Sequence, residues 1–160
     1  MPSELTSRSH SGVQTAAEVE ILERLGGTLG LVVQHSPARI DVGSAHINVD
    51  GSADGGRVLI EAYARQGKLR GAQLKKVAQD ILKFAVLKRQ PGKENVRTII
   101  AFASPEAQKS IAGWVKEAAA TFNVELLVVD VGEDLRQTIL AAQARQIMVN
   151  KVDDVLDGER

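Results

Sequence analysis

The sequence predicts an α/β fold, with a mixed central sheet and helices on both faces, and three observations carry that reading. Apolar residues alternate early in the chain, between glycine-rich turns. Amphipathic helical stretches then alternate with short, wholly apolar runs, and most of these helices carry their own start or stop residues. Strands joined through helices pair in parallel with right-handed crossovers, whereas strands close in sequence pair antiparallel. The resulting element order is αβββαβαβα, in one domain spanning residues 15–149 between a disordered leader (1–14) and an acidic tail (150–160).

Composition narrows the class. The chain has 160 residues, 44% apolar and 25% charged, which is an ordinary soluble composition for one domain with one core. Aromatics are only 3%, so the core must be built from Val, Ile, Leu and Ala. The absence of cysteine excludes a disulfide framework, a thiolate metal site and a cysteine nucleophile. No apolar run approaches the ~20 residues that cross a bilayer. Met1 to Gln14 lacks a signal peptide's apolar centre, so a cytoplasmic protein without a membrane partner is expected.

In chain order, Met1 to Gln14 is serine-rich and aperiodic. Thr15 with Glu18 has capping-box spacing for a first helix that buries Val19, Leu22 and Leu25 and stops at Gly26-Gly27. Short strands are expected at Leu29 to Val33 and Arg39 to Val42 around Pro37, with His35 and His46 as structural or surface residues. A hairpin follows: Ile47 to Asp50, a turn through Asp54-Gly55-Gly56 that supplies positive φ, then Val58 to Glu61. Gly71 to Gln90 is an amphipathic helix burying Leu74, Val77, Ala78, Ile81 and Ala85, and Pro91-Gly92 ends it. Val96 to Ala103 is a buried strand, and Ser104-Pro105-Glu106 caps a helix to about Phe122, with Trp114 beside its core stripe. Val124 to Val131 is a further strand, and Gly132 opens a last helix to about Met148 that buries Leu135, Ile139 and Ala142.

The functional signal centres on residues 47–73. Asp50 and Glu61 fall near facing positions of paired strands, about 5 Å apart, a distance over which two carboxylates can share a divalent cation. Glu61, Tyr63 and Arg65 fall on one strand face. Gly67-Lys68-Leu69-Arg70-Gly71 then opens a helix with cations and no acid, an arrangement that suits an anion. From Arg65 to Arg97 ten Lys or Arg face only Asp80 and Glu94, a local charge of +8 in a chain of zero net charge. Such a stripe predicts an electropositive surface for a polyanion, with a solvated helix face as the alternative. A nucleotide-binding α/β domain is disfavoured. The Gly-x-Gly-x-x-Gly and Walker patterns are absent, and Glu106 and Glu133-Asp134 occupy the later helix starts, where they repel phosphate.

Asp50, ten residues, then Glu61-Ala62-Tyr63 resembles the PD-(D/E)xK nuclease superfamily, and Gln73 on the next helix is similar to the glutamine of its RecB-like branch. Tyr63 stands where that family has its lysine, and no Pro-Asp pair occurs in Ala38 to Asp50. The resemblance implies a restriction-endonuclease-like core and one Mg²⁺ or Mn²⁺ held by Asp50, Glu61 and the Ala62 carbonyl. A further acid would come from the first helix, from Glu20 or Glu23, and Gln73 would orient a ligand or phosphate. The lysine role would pass to Lys68, Lys75 or Lys76, since the Arg65 guanidinium cannot trade a proton. Arg65, Lys68, Arg70, Lys75, Lys76 and Lys83 are the expected nucleic-acid contacts. The expected activity is metal-dependent phosphodiester cleavage, of DNA before RNA. The alternative is a catalytically degenerate nuclease-fold module, with Tyr63 as its mark, that binds nucleic acid or a protein partner, a second copy included. Without a metal, Asp50 before Gly51 also suits a turn, and Glu61 would need Arg65 or Arg97 as its counter-ion.

Overall fold

The structure, a computed structural model, describes residues 10–157. Helix α1 (His10–Leu29) leads into a hairpin of β1 (Ala38–Val42) and β2 (Ala45–Val49). The chain continues directly into β3 (Gly51–Ala53), a single 3-10 turn and β4 (Val58–Tyr63). Then come α2 (Ala72–Lys88), β5 (Arg97–Phe102), α3 (Pro105–Lys109), α4 (Gly113–Thr121), β6 (Val124–Val128) and α5 (Glu133–Asp157).

The main sheet has four strands in the order β3-β4-β5-β6. β3 is antiparallel to β4, and β4, β5 and β6 are mutually parallel, as their helical crossovers require. Residues of β4 alternate between two apolar layers. Val58, Ile60, Ala62 and the following Ala64 join the layer of α1 and α5. Leu59 and Tyr63 join the layer of Val77, Ile81 and Phe84 from α2, with Ala119 of α4. The fold is therefore mixed α/β with helices on both faces, and the second face of β4 is where Glu61 sits.

Several boundaries differ from the sequence reading. Helix α1 already includes His10, inside the expected leader, so Thr15 lies within it; residues 1–9 are outside the described part. It also runs through Gly26-Gly27. A Cβ on Gly26 would meet the Leu31 carbonyl oxygen at 2.7 Å, so glycine there lets the returning chain pass close, and the reversal comes at Gly30 with φ +68. No strand forms over Leu29 to Val33; only Gln34 bridges to Ser52. The antiparallel partner of β4 is the three-residue β3, not the strand ending at Asp50; β2 pairs with β1 instead. The expected long helix after Ser104 breaks into α3 and α4 at Gly113, which has φ +60. Trp114 is not core: it is 75% exposed. Strand β6 stops at Val128, and α5 continues through the expected tail to Asp157, with residues 158–160 undescribed. Among the described residues, no helix is long and apolar enough to cross a membrane.

Candidate functional site

Asp50 sits at the corner where β2 hands over to β3. Gly51 pairs with Ile60, so the next pair outward sets Asp50 opposite Glu61, the placement expected from the sequence. The corner needs glycine: a Cβ on Gly51 would lie 2.8 Å from Leu22. Asp50 Oδ2 accepts a hydrogen bond from the Ala62 amide (2.9 Å), and the Asp50 and Glu61 carboxyl groups are hydrogen-bonded to each other.

Glu61 is 3% exposed. Burial first, and then the facing Asp50 and the nearby Asp80, push its carboxyl up to about 8, against the pull of Lys83. Glu61 therefore keeps its proton near neutrality. Glu18, on the same side of α1 as Gln14, is also raised, by burial and then by Asp50. It is the α1 acid that the site feels. Glu20 instead bonds Arg24 (2.9 Å), and Glu23 faces His35 (3.5 Å).

The counter-ion of Glu61 is neither arginine. Arg97 is bidentate on Glu125, and the buried Arg65 Nε has no hydrogen-bond partner. The ammonium on Glu61 is that of Lys83, from the fourth turn of α2. Lys83 Nζ also donates to the Asn48 carbonyl (2.9 Å) and pairs with Asp80 (3.2 Å), so its three N–H groups face three acceptors. Contacts with Glu61 and Asp80 outweigh burial and keep Lys83 protonated above the usual lysine range. Asp80 in turn accepts from the Tyr63 hydroxyl at 2.5 Å. Burial, then Asp80, raise the Tyr63 phenol further above its ordinary value, so it is a donor and not a base. The Lys76 ammonium lies 4.8 Å over the Tyr63 ring.

The site is thus a chain of charge and hydrogen bonds: Glu18 near Asp50, then Glu61, Lys83, Asp80 and Tyr63. The lysine in contact with Glu61 is Lys83, which the sequence reading had placed only among nucleic-acid contacts, and not Lys68, Lys75 or Lys76. Lys68, Lys75 and Arg70 are exposed, as is Lys76, and none of the four is ion-paired among the described residues. They ring the start of α2, where Gly71 at the cap supplies no side-chain hydrogen bond and the first turn carries no acid. The rest of the basic stripe is partly spent, for Lys88 donates to the carbonyls of Phe122 and Asn123 (2.7 and 2.9 Å). Gln73 lies in the first turn of α2, its carbonyl oxygen hidden from solvent and without a partner.

Asp80 is the member that sequence reasoning missed. Its signal was present: it is an acid on the buried stripe of Val77, Ile81 and Phe84 in an otherwise basic helix. Among the described residues, no three or more His, Asp or Glu converge as a metal cage. The donor chemistry of Asp50 and Glu61 nonetheless suits a hard cation such as Mg²⁺, which takes one or two carboxylates and fills its other positions with water and substrate oxygens. Comparison with protein-family models, with curated proteins and with solved structures finds no match.

Proposed function

We propose that this protein is a phosphodiester-cleaving nuclease of the PD-(D/E)xK type whose lysine comes from a helix instead of the strand. The observation that supports the reading is the buried Asp50–Glu61–Lys83 cluster at a strand corner, beside a helix start ringed by four exposed cations. A purely structural ion pair has no need of a second carboxylate hydrogen-bonded to the first, which raises the cost of burial.

In this reading Asp50, Glu61 and the Ala62 carbonyl hold Mg²⁺ or Mn²⁺, which supplies Lewis-acid polarisation of a phosphodiester. The protein's own groups do the rest. Lys68, Arg70, Lys75 and Lys76 bind the phosphate backbone and bring it to the corner. Lys83 holds a positive charge beside the place where negative charge develops, and reaches an oxygen by exchanging its bond to the Asn48 carbonyl. Tyr63 fixes Asp80, and Asp80 fixes Lys83. The proton that Glu61 keeps must leave before it can act as an anionic ligand, so binding of the cation would favour alkaline conditions.

The test is incubation of the purified protein with single- and double-stranded DNA and RNA, in Mn²⁺, Mg²⁺ or chelator. Cleavage that chelator abolishes, and that Lys83→Met and Glu61→Gln lose, is expected, with DNA cut in preference to RNA. No cleavage under any condition by the folded protein favours the second reading, a module that binds nucleic acid or a protein partner without cutting. The observation on that side is that all three Lys83 donors are already engaged within the protein.

A further inference from the structure

Beyond the carboxylate corner, the end of β4 opens into a cleft of about 100 Å³. Three helices wall it: α1 through Val13 and Gln14, α5 through Ile139 and Ala142, and α2 through Gln73 and Lys76. Ala62 and Tyr63, which also belong to the site already described, are part of its lining. We propose that this cleft receives one unpaired pyrimidine base, presented either by a free nucleotide or by a single strand. The choice of ligand class rests on the nuclease reading; the choice of an unpaired, single-ring base rests on the cleft.

Size is the first argument. An apolar cavity of ~150 Å³ accepts a benzene ring. This cleft, at about 100 Å³, is too small to enclose a ring whole, but it is open on one side, so a six-membered ring can enter edge-first with its sugar outside, whereas the fused second ring of a purine finds no room. Access is the second argument. A base stacked in a duplex cannot enter a slot between three helices, whereas an unpaired base can.

Chemistry is the third argument. Ile139, Ala142 and Val13 give an apolar wall for a ring face. The polar groups are amides, which carry a donor and an acceptor side by side and so match the edge of a base. Two of the three amides are committed elsewhere. Gln143 exchanges hydrogen bonds with the backbone of Gln66 (2.8 and 3.1 Å), and Gln14 donates to Glu18 (3.1 Å). Gln73 is left, with a carbonyl oxygen that has no partner and that water does not reach. A rotation of its amide offers that acceptor to the exocyclic amine of cytosine or the ring N–H of uracil or thymine. Charge is the fourth argument. Lys76, over the Tyr63 ring, and Arg65 both line the cleft and bring two cations to meet the phosphate that follows the base.

The test is binding, without divalent cation, so that it does not depend on cleavage. Calorimetry or NMR on the full chain would compare CMP, UMP, dTMP, dAMP, dGMP and ribose 5-phosphate. Pyrimidine nucleotides should bind at least about tenfold tighter than purine nucleotides or ribose 5-phosphate. Ala142→Leu, which fills the cleft, and Gln73→Leu, which keeps the helix, should each lose most of that preference with an unchanged circular dichroism spectrum. A second arm sets a pyrimidine single strand against the same sequence in a blunt duplex; tighter binding of the single strand identifies it as the source of the base. Ribose 5-phosphate binding as well as CMP, or a preference that survives both substitutions, overturns the proposal. The two readings fail separately. Metal-dependent cleavage of duplex DNA with no base preference retains the nuclease and removes the pocket, whereas pyrimidine binding by a protein that cuts nothing retains the pocket and removes the nuclease.

Discussion

The raised Glu61 carboxyl makes stability depend on pH in an unusual direction. The Glu61 carboxyl is pushed from 4.5 up to about 8 in the folded chain. Between those values the folded state holds a proton that the unfolded state has released. Stability from this group is therefore fully present below the unfolded value and is lost as pH rises toward the folded one. The slope is at most about 1.4 kcal/mol per pH unit, so a rise from about pH 5.5 to about pH 7.5 costs up to ~2.7 kcal/mol. With a urea m-value of about 2 kcal/mol per molar, the unfolding midpoint should fall by roughly 1.4 M. Glu18, also raised, adds in the same direction. Glu106, Glu125 and Glu133 are held low by their own partners and have finished titrating below this window. The assay is urea denaturation followed by far-ultraviolet circular dichroism across that range, on the wild type and on Asp50→Asn. The variant keeps the burial of Glu61, the largest cause of its shift, but loses both contributions of Asp50, so its midpoint should fall less steeply. A wild-type midpoint that is flat or rises with pH, or an identical fall in Asp50→Asn, would refute the argument.

Three further outcomes follow from the same geometry. Calorimetric titration with Mn²⁺ at about pH 7 should show weak binding that Asp50→Ala abolishes, with roughly one proton released as the carboxyl pair ionises; equal heats from both proteins end the metal assignment. Nucleic-acid affinity should fall with salt at a log–log slope of about −3 to −4, and replacing Lys68, Arg70, Lys75 and Lys76 with alanine together should remove that dependence; binding indifferent to salt rules the surface out. Tyr63→Phe should cost about 1–3 kcal/mol of stability in denaturant unfolding, because it leaves the buried Asp80 short of a donor. A neutral result would mean that Lys83 alone satisfies Asp80.

Much of the fold could be read from local pattern where the pattern was long or the cap chemistry explicit. Helix α2 follows its buried stripe and ends before Pro91, and Ser104 accepts from the Ala107 amide at the start of α3 as its position implied. What failed was whatever only tertiary contact decides. The capping-box spacing of Thr15 and Glu18 pointed to a later start, yet α1 already includes His10. β3 is three residues long, too short for any alternation to show, and glycine begins it because Leu22 leaves no room for a Cβ. The single hairpin expected through Asp50 is therefore two pairings that meet at Asp50. The aspartate still arrives opposite Glu61, because the chain passes straight from β2 into β3 and the β3–β4 register carries it there.

The lysine shows the same limit more sharply, and also how it can be overcome. A motif defined by spacing looks for the ammonium two residues after Glu61, finds Tyr63, and turns to the next lysines in sequence. Lys83 is 22 residues from Glu61, yet α2 packs across that face of β4, so the distance in space is a single contact. Charge accounting reaches it without the motif. Glu61 in an apolar strand requires a cation within reach, and Asp80 on the apolar stripe of α2 requires one as well. Lys76 and Lys83 each lie about one turn from Asp80. Lys76 takes the face of Tyr63, and Lys83 takes both acids. Tyr63, where the resemblance calls for lysine, donates one hydrogen bond to Asp80 and adds no charge.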